Sequence, residues 1–113
     1  MAIELHKTTS AICRDHFSSV TFDDPDLQVQ ILEMFAHQIE EFRRGLRETM
    51  GIETLCALLH RFKGSARGVG AFALGEALEQ AEQEAANGTV PLLMTVESCL
   101  AEVSADLSKL QNS

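Results

Sequence analysis

The chain has no Trp and no Tyr, only two Pro, and three Cys with no two of them in a CxxC pair. Each shortage excludes something. Three widely spaced cysteines without a CxxC pair suit free thiols better than a disulfide frame, and Cys13, Cys56 and Cys99 are expected to fill core positions in a reducing cytoplasm. Basic residues are scarce as well, nine against seventeen acidic ones for a net charge of -8. That balance argues against a general nucleic-acid binder and against a polybasic membrane-surface protein. No apolar run approaches the ~20 residues that a membrane-spanning helix requires, and "MAIELHKTTSAICRDHF" lacks the long apolar stretch of a signal peptide. The expectation is a protein of the cytoplasm. With Pro rare and period-two alternation nowhere sustained, strands are unexpected too.

What is present is helical patterning. The 113 residues suit one domain spanning 1–113. "TTSAICRDHFSSV" places Ile12, His16, Phe17 and Val20 near one face of a short helix. "DDPD" then supplies a helix start, with Asp24 as N-cap and Pro25 at the first helical position. From there Leu27, Ile31, Met34, Phe35, Ile39, Phe42 and Leu46 recur every three or four residues, which predicts a helix of about 20 residues. A break at "ETMG" is followed by a second stripe of Ile52, Leu55, Cys56, Leu59, Phe62, Ala66 and Val69, closing near Gly70. A third, from Phe72 to Ala86, turns Leu74, Ala77, Leu78 and Ala81 inward and stops at Asn87-Gly88. A last helix is expected from about Pro91, with Leu93, Val96, Leu100, Val103, Leu107 and Leu110 as its seam. Four long amphipathic helices with short connections predict an all-α, up-down-up-down antiparallel four-helix bundle with a short additional N-terminal helix.

One stretch resists this reading. "LLHRFKGSARGVGA", residues 58–71, puts Gly64, Gly68 and Gly70 in or beside a helix, where each glycine costs up to ~1 kcal/mol against alanine. With Leu59 at the centre of the buried face, His60 lies ~100° away at its outer edge. Lys63, Gly64 and Arg67 follow at i+3, i+4 and i+7. Helical geometry thus predicts an outward patch of an imidazole, two cations and a bare backbone. A neutral ring nitrogen is a competent nucleophile. The cations would repel a metal ion and favour a phosphoryl group, whose charge spreads over its oxygens in transfer. Gly64 removes the side chain that would hold a docking surface away from the ring.

"HRFKGSARGVGA" resembles the signature of histidine-containing phosphotransfer (HPt) domains, His-x-x-Lys-Gly-(Ser/Ala)-(Ser/Ala) running on to an apolar-Gly-Ala ending. His60, Lys63, Gly64, Ser65, Ala66, Val69, Gly70 and Ala71 all match. The resemblance implies a phosphorelay intermediate of two-component signalling, phosphorylated on Nε2 of His60. Lys63 would help position the phosphoryl group, and Gly64 would permit docking. Partners would be response-regulator receiver domains, which carry the phosphoacceptor aspartate and the Mg²⁺, and a sensor or hybrid histidine kinase; the chain would have no metal of its own and would be a monomer. Many members present a polar side chain, often glutamine, to the histidine from the next helix. Glu82 stands nearest that position with Gln83 beside it, and the carboxylate is suited either to bonding the ring or to repelling phosphate. Arg67 could offset that charge. Ser65 is expected to bond back to the preceding turn's carbonyl.

Three rival functions share some of these features. An autophosphorylating kinase usually has an acid directly after its histidine, whereas Arg61 follows His60, and no P-loop glycine motif appears. A carboxylate-histidine metal bundle could draw on Glu33, His37 and Glu41, yet no Glu-x-x-His pair completes the ligand set. A helical module that binds receivers without transferring phosphate is the third. His6, His16 and His37 lack the surroundings of His60 and are expected to have no catalytic part, while Leu58 or Phe62 could join a docking surface.

Overall fold

The computed structural model describes residues 11–112. Five helices account for its regular structure: α1 (Arg14–Val20), α2 (Pro25–Glu48), α3 (Ile52–Val69), α4 (Phe72–Ala86) and α5 (Met94–Gln111). Among the described residues there is no strand. Each long helix packs on its neighbours in a closed ring, α2 on α3, α3 on α4, α4 on α5 and α5 back on α2, while α1 lies against α3. Contacts run in opposite senses along successive helices: Cys56 Sγ reaches the Glu82 carbonyl, whereas Arg67 further along α3 meets Glu79 and Glu76, earlier in α4. The four long helices therefore form the expected antiparallel bundle with an added short helix.

The helix ends follow their local chemistry. Asp24 accepts from the N–H groups of Asp26 and Leu27, and Pro25 opens α2, so two of the unpaired N-terminal donors meet a carboxylate. Gly70 closes α3 in a left-handed conformation, φ 96°. A Cβ there would meet Cys13 O at 3.1 Å, so both the dihedral and the crowding require glycine. α3 and α4 are the most closely packed pair, with the small Ala66, Ala77 and Ala81 buried between larger neighbours.

Inside, Phe62 stacks on Phe42 with centroids 4.3 Å apart and on Phe35 at 6.0 Å. Leu59, Leu74, Leu78, Val96, Leu100 and Val103 complete the buried centre. Such stacked pairs add ~0.5–1.5 kcal/mol each beyond the area that they bury.

Four expectations need correction. Met34 is 56% exposed and Leu32 takes its place in the core, because the inward row of α2 runs Leu32, Phe35, Ile39, Phe42 and Met34 lies one ~100° step off it. α2 is longer than expected, 24 residues. α5 starts at Met94, not near Pro91: Pro91 is buried in the connection, and the first bond of the helix runs from Glu97 N–H to Leu93 O. Of the residues placed on the face of α1, Ile12 and Phe17 are buried while Val20 turns outward, and Ile12 precedes the helix. The three cysteines are free and half-buried, Cys56 and Cys99 against the core; burial, and then the Glu102 charge, push the Cys99 thiol up.

One buried polar contact had no counterpart in the sequence reading. Asp106, on α5 and only 7% exposed, accepts from Ile12 N–H at 2.8 Å and from Arg14 through both guanidinium nitrogens at 2.7 and 2.9 Å. The Arg14 guanidinium, then the Ile12 N–H, hold its carboxyl below the usual range against the opposing effect of burial. Together with the Cys13 N–H to Gly70 O bond and the contact of His16 Nε2 with Gly68 O, this clasp fastens residues 12–16 across the end of the bundle.

Candidate functional site

α3 presents His60 because its neighbours on the helix are pulled the other way. Leu59 and Phe62 are buried, which turns the imidazole outward with 69% of its side chain exposed. Across from it on α4, Leu78, Ala81 and Ala85 are buried, and that same rotation points Glu82 back at α3.

The two helices meet in a cluster of three side chains. Glu82 Oε2 lies 2.8 Å from His60 Nδ1, and Oε1 lies 2.8 Å from Lys63 Nζ. Oε1 is closed off from solvent, and the ammonium approaches it off the best hydrogen-bonding direction, so charge more than alignment holds that contact. The Lys63 ammonium foremost, and then the His60 ring, hold the Glu82 carboxyl below its usual range, against partial desolvation. An ionised carboxylate only accepts hydrogen bonds. The proton of a neutral His60 ring therefore sits on Nδ1, and the lone pair is on Nε2, the nitrogen facing away from Glu82. The carboxylate thus meets the ring, one of the two parts suggested for Glu82.

Gly64 stands one turn beyond the ring, and a Cβ built there meets no atom within 4 Å; the same is true of Gly68. Among the described residues, packing requires a glycine at neither position. Gly68 lies within α3, and its carbonyl meets His16 Nε2 at 3.1 Å.

The other named residues fall into place less as expected. Arg67 does not stand free beside the imidazole: its guanidinium reaches Glu79 at 2.6 Å and Glu76 at 3.5 Å. Its stem also fills the space over Gly75, where a Cβ would come within 2.7 Å of it. The outward patch thus contains no unpaired cation of the two foreseen, because α4 brings a carboxylate to each. Gln83 is exposed and donates to Glu79 at 3.4 Å. Ser65 lines a shallow groove between α2 and α3 with Leu58, Arg61 and Arg44. Phe62 is core and cannot be a docking contact, whereas Leu58 is half-buried, its methyl groups lying against Gly45.

His37 pairs with Glu41 at 3.2 Å on the exposed face of α2. Among the described residues no three His, Cys, Asp or Glu side chains come together in a way that could hold a metal ion. Among these residues, too, no helix is long and apolar enough to cross a membrane. His6 lies outside the described residues. The residue that the sequence reading missed is Asp106; its signal was a lone acid inside the apolar seam of α5, between Val103 and Leu107.

Compared with known families, residues 27–112 match the model of the Hpt domain. The match begins in the first turn of α2 and leaves out α1. Searches of curated proteins and of solved structures gave no match.

Proposed function

Since the chain belongs to the Hpt domain family, whose role is phosphotransfer in a phosphorelay, we propose that His60 is the phosphoryl carrier, taking the group on Nε2 from a receiver-domain aspartate and yielding it to another. The observation that carries this reading is the Glu82 contact: a carboxylate on Nδ1 leaves a lone pair on Nε2 of a ring that is 69% exposed.

The chemistry follows without a general base. The Nε2 lone pair forms the N–P bond as the P–O bond to the aspartyl carboxylate breaks, and the electron pair leaves on that carboxylate. No proton has to move, since Nδ1 keeps its own throughout. The phosphorylated ring gains positive charge, and Glu82 Oε2, 2.8 Å from Nδ1, offsets it. In the reverse step the ring departs as neutral imidazole, a good leaving group. The Mg²⁺ expected to assist is the receiver's, bound beside its aspartate. This chain contributes rigid presentation of the ring and open backbone at Gly64, which lets the two surfaces bring phosphorus and nitrogen into line.

In this reading the partners are receiver domains and a sensor or hybrid histidine kinase, and the protein works in the cytoplasm as a monomer. The test is transfer from a labelled, phosphorylated receiver to wild type and to His60→Gln. Acid-labile, base-stable label on wild type alone supports the reading. A cognate receiver that binds wild type and transfers nothing would leave a helical module that docks receivers without chemistry.

A further inference from the structure

The turn between α1 and α2 carries a bulky side chain where both backbone and burial argue against one. Phe22 has φ 55° and Asp23 φ 56°, in the left-handed region that L side chains avoid, large ones most of all. Phe22 stands just past the C-cap Thr21, at the position that closes a helix and usually holds glycine. Its N–H donates to Ser19 O at 3.2 Å, and Asp23 N–H reaches back to Ser18 O at 3.0 Å. No packing offsets the cost of this conformation, since Phe22 is 84% exposed, with Val20 38% exposed two residues before it.

The turn is nevertheless firmly set. Thr21, fully buried, donates from Oγ1 to Phe17 O at 2.7 Å and accepts from Gln28 Nε2 at 3.0 Å, while Asp24 N–H bonds Thr21 O at 2.9 Å. Strain that its surroundings hold in place points to a use for the strained residue. The charges nearby say what kind. Asp24 is spent on capping α2. Asp15, Asp23 and Asp26 are exposed, and none of them has an ion pair among the described residues. An aromatic ring on a fixed backbone, framed by such carboxylates, complements an apolar pocket with a basic rim.

We propose that this turn is a specificity knob for the receiver domain: the Phe22 ring enters an apolar pocket on the receiver, and Asp23 and Asp26 meet lysine or arginine side chains at its rim. The proposal rests on the phosphotransfer reading, which brings a receiver over His60. A standard protein interface covers about 800 Å² on each partner and so reaches roughly 16 Å from its centre. Gly68 lies about 12 Å along α3 from His60, at ~1.5 Å per residue, and there His16 of α1 meets its carbonyl. A receiver centred on His60 therefore extends to α1, the helix that ends in the knob. The turn lies outside residues 27–112, which match the family, so it serves this chain's choice of receiver and not the transfer step that members share. A ring already fixed in place loses little freedom on binding, which gives the strain its use.

The experiment measures Kd for the cognate, unphosphorylated receiver with wild type, with Phe22→Gly and with the double variant Asp23→Asn, Asp26→Asn. Glycine suits the left-handed position, so Phe22→Gly is expected to melt no lower than wild type and yet to raise Kd about tenfold. The double variant is expected to associate more slowly at low salt and to lose much of the salt dependence of association. At saturating phosphorylated receiver both should take up label at the wild-type rate, because the knob docks and does not react. If Phe22→Gly binds the receiver as wild type does, the proposal fails; a loss confined to kinase binding or to self-association overturns it too, and assigns the knob to that partner. A receiver that binds wild type and transfers no label sinks the phosphotransfer reading instead, and the Kd of Phe22→Gly still decides what Phe22 does.

Discussion

The molecule uses the same small device twice, and the two copies differ in one respect. At one end of the bundle Asp106 accepts from Arg14 and from the Ile12 N–H; midway along α3 and α4, Glu82 meets Lys63 and His60. Each is a single carboxylate from a later helix, ionised by a cation and shared with a second N–H donor. Each has its pKa lowered by those partners against burial. The difference lies in the second donor. A backbone N–H and a guanidinium have nothing left to offer once bonded, so the Asp106 device can only fasten. An imidazole held by one nitrogen still has the other. Glu82 leaves that one in solvent, so its device can react. What separates fastening from chemistry here is whether the bound group keeps a free lone pair.

The largest effect should come from Asp106→Ala. It strands the Arg14 guanidinium and a buried N–H, and should lower unfolding free energy by roughly 2–4 kcal/mol, read by urea denaturation. Where the variant remains folded, its rate of phosphoryl transfer should match wild type. Glu82→Ala is the mirror image: transfer should fall by about tenfold, while stability changes by less than ~1 kcal/mol, because this pair is nearer the surface. If both variants lose stability and transfer together, the two devices are not separable and the comparison breaks.

Acid should dismantle the fastening device in a predictable direction. The folded pKa of Asp106 is depressed, so its stabilisation is full above the ordinary carboxylate value near ~3.9 and is lost as pH falls through the lower folded value. Glu82 has the same sign. Wild-type stability should therefore decline below about pH 4, and Asp106→Asn should show a shallower decline over the same range in pH-dependent denaturation. The smallest effect sharpens the view of the bare surface. Gly68→Ala should raise stability by up to ~1 kcal/mol, since no atom opposes the added methyl group. Gly64→Leu, equally unopposed within the chain, should slow transfer by weakening receiver docking, measured as a higher Kd.

Much of this was legible in advance where a helix decides matters by itself. The bounds of α3 and α4 and the outward direction of His60 follow from apolar spacing, because burial of Leu59 and Phe62 sets the angle of every side chain between them. What spacing within one helix cannot set is how the next one is rotated. Glu82 and Gln83 differ by one ~100° step, and only the burial of Leu78, Ala81 and Ala85 against α3 decides that the carboxylate faces the ring. The same rotation brought Glu79 to Arg67 and removed the free cation from the patch. Asp106 was out of reach for a different reason: Arg14 lies 92 residues away in the chain, and no periodicity links them.

By itself, then, the sequence determined the number and order of the helices, most of their inward faces, the Hpt signature and a histidine set outward beside bare backbone, since all of these rest on neighbours within a turn or two. The tertiary structure alone decided which charges meet. Ion pairs between helices depend on rotation and register, and those are settled by the packing of the whole core. The pairing of Glu82 with both His60 and Lys63 is where that packing becomes chemistry.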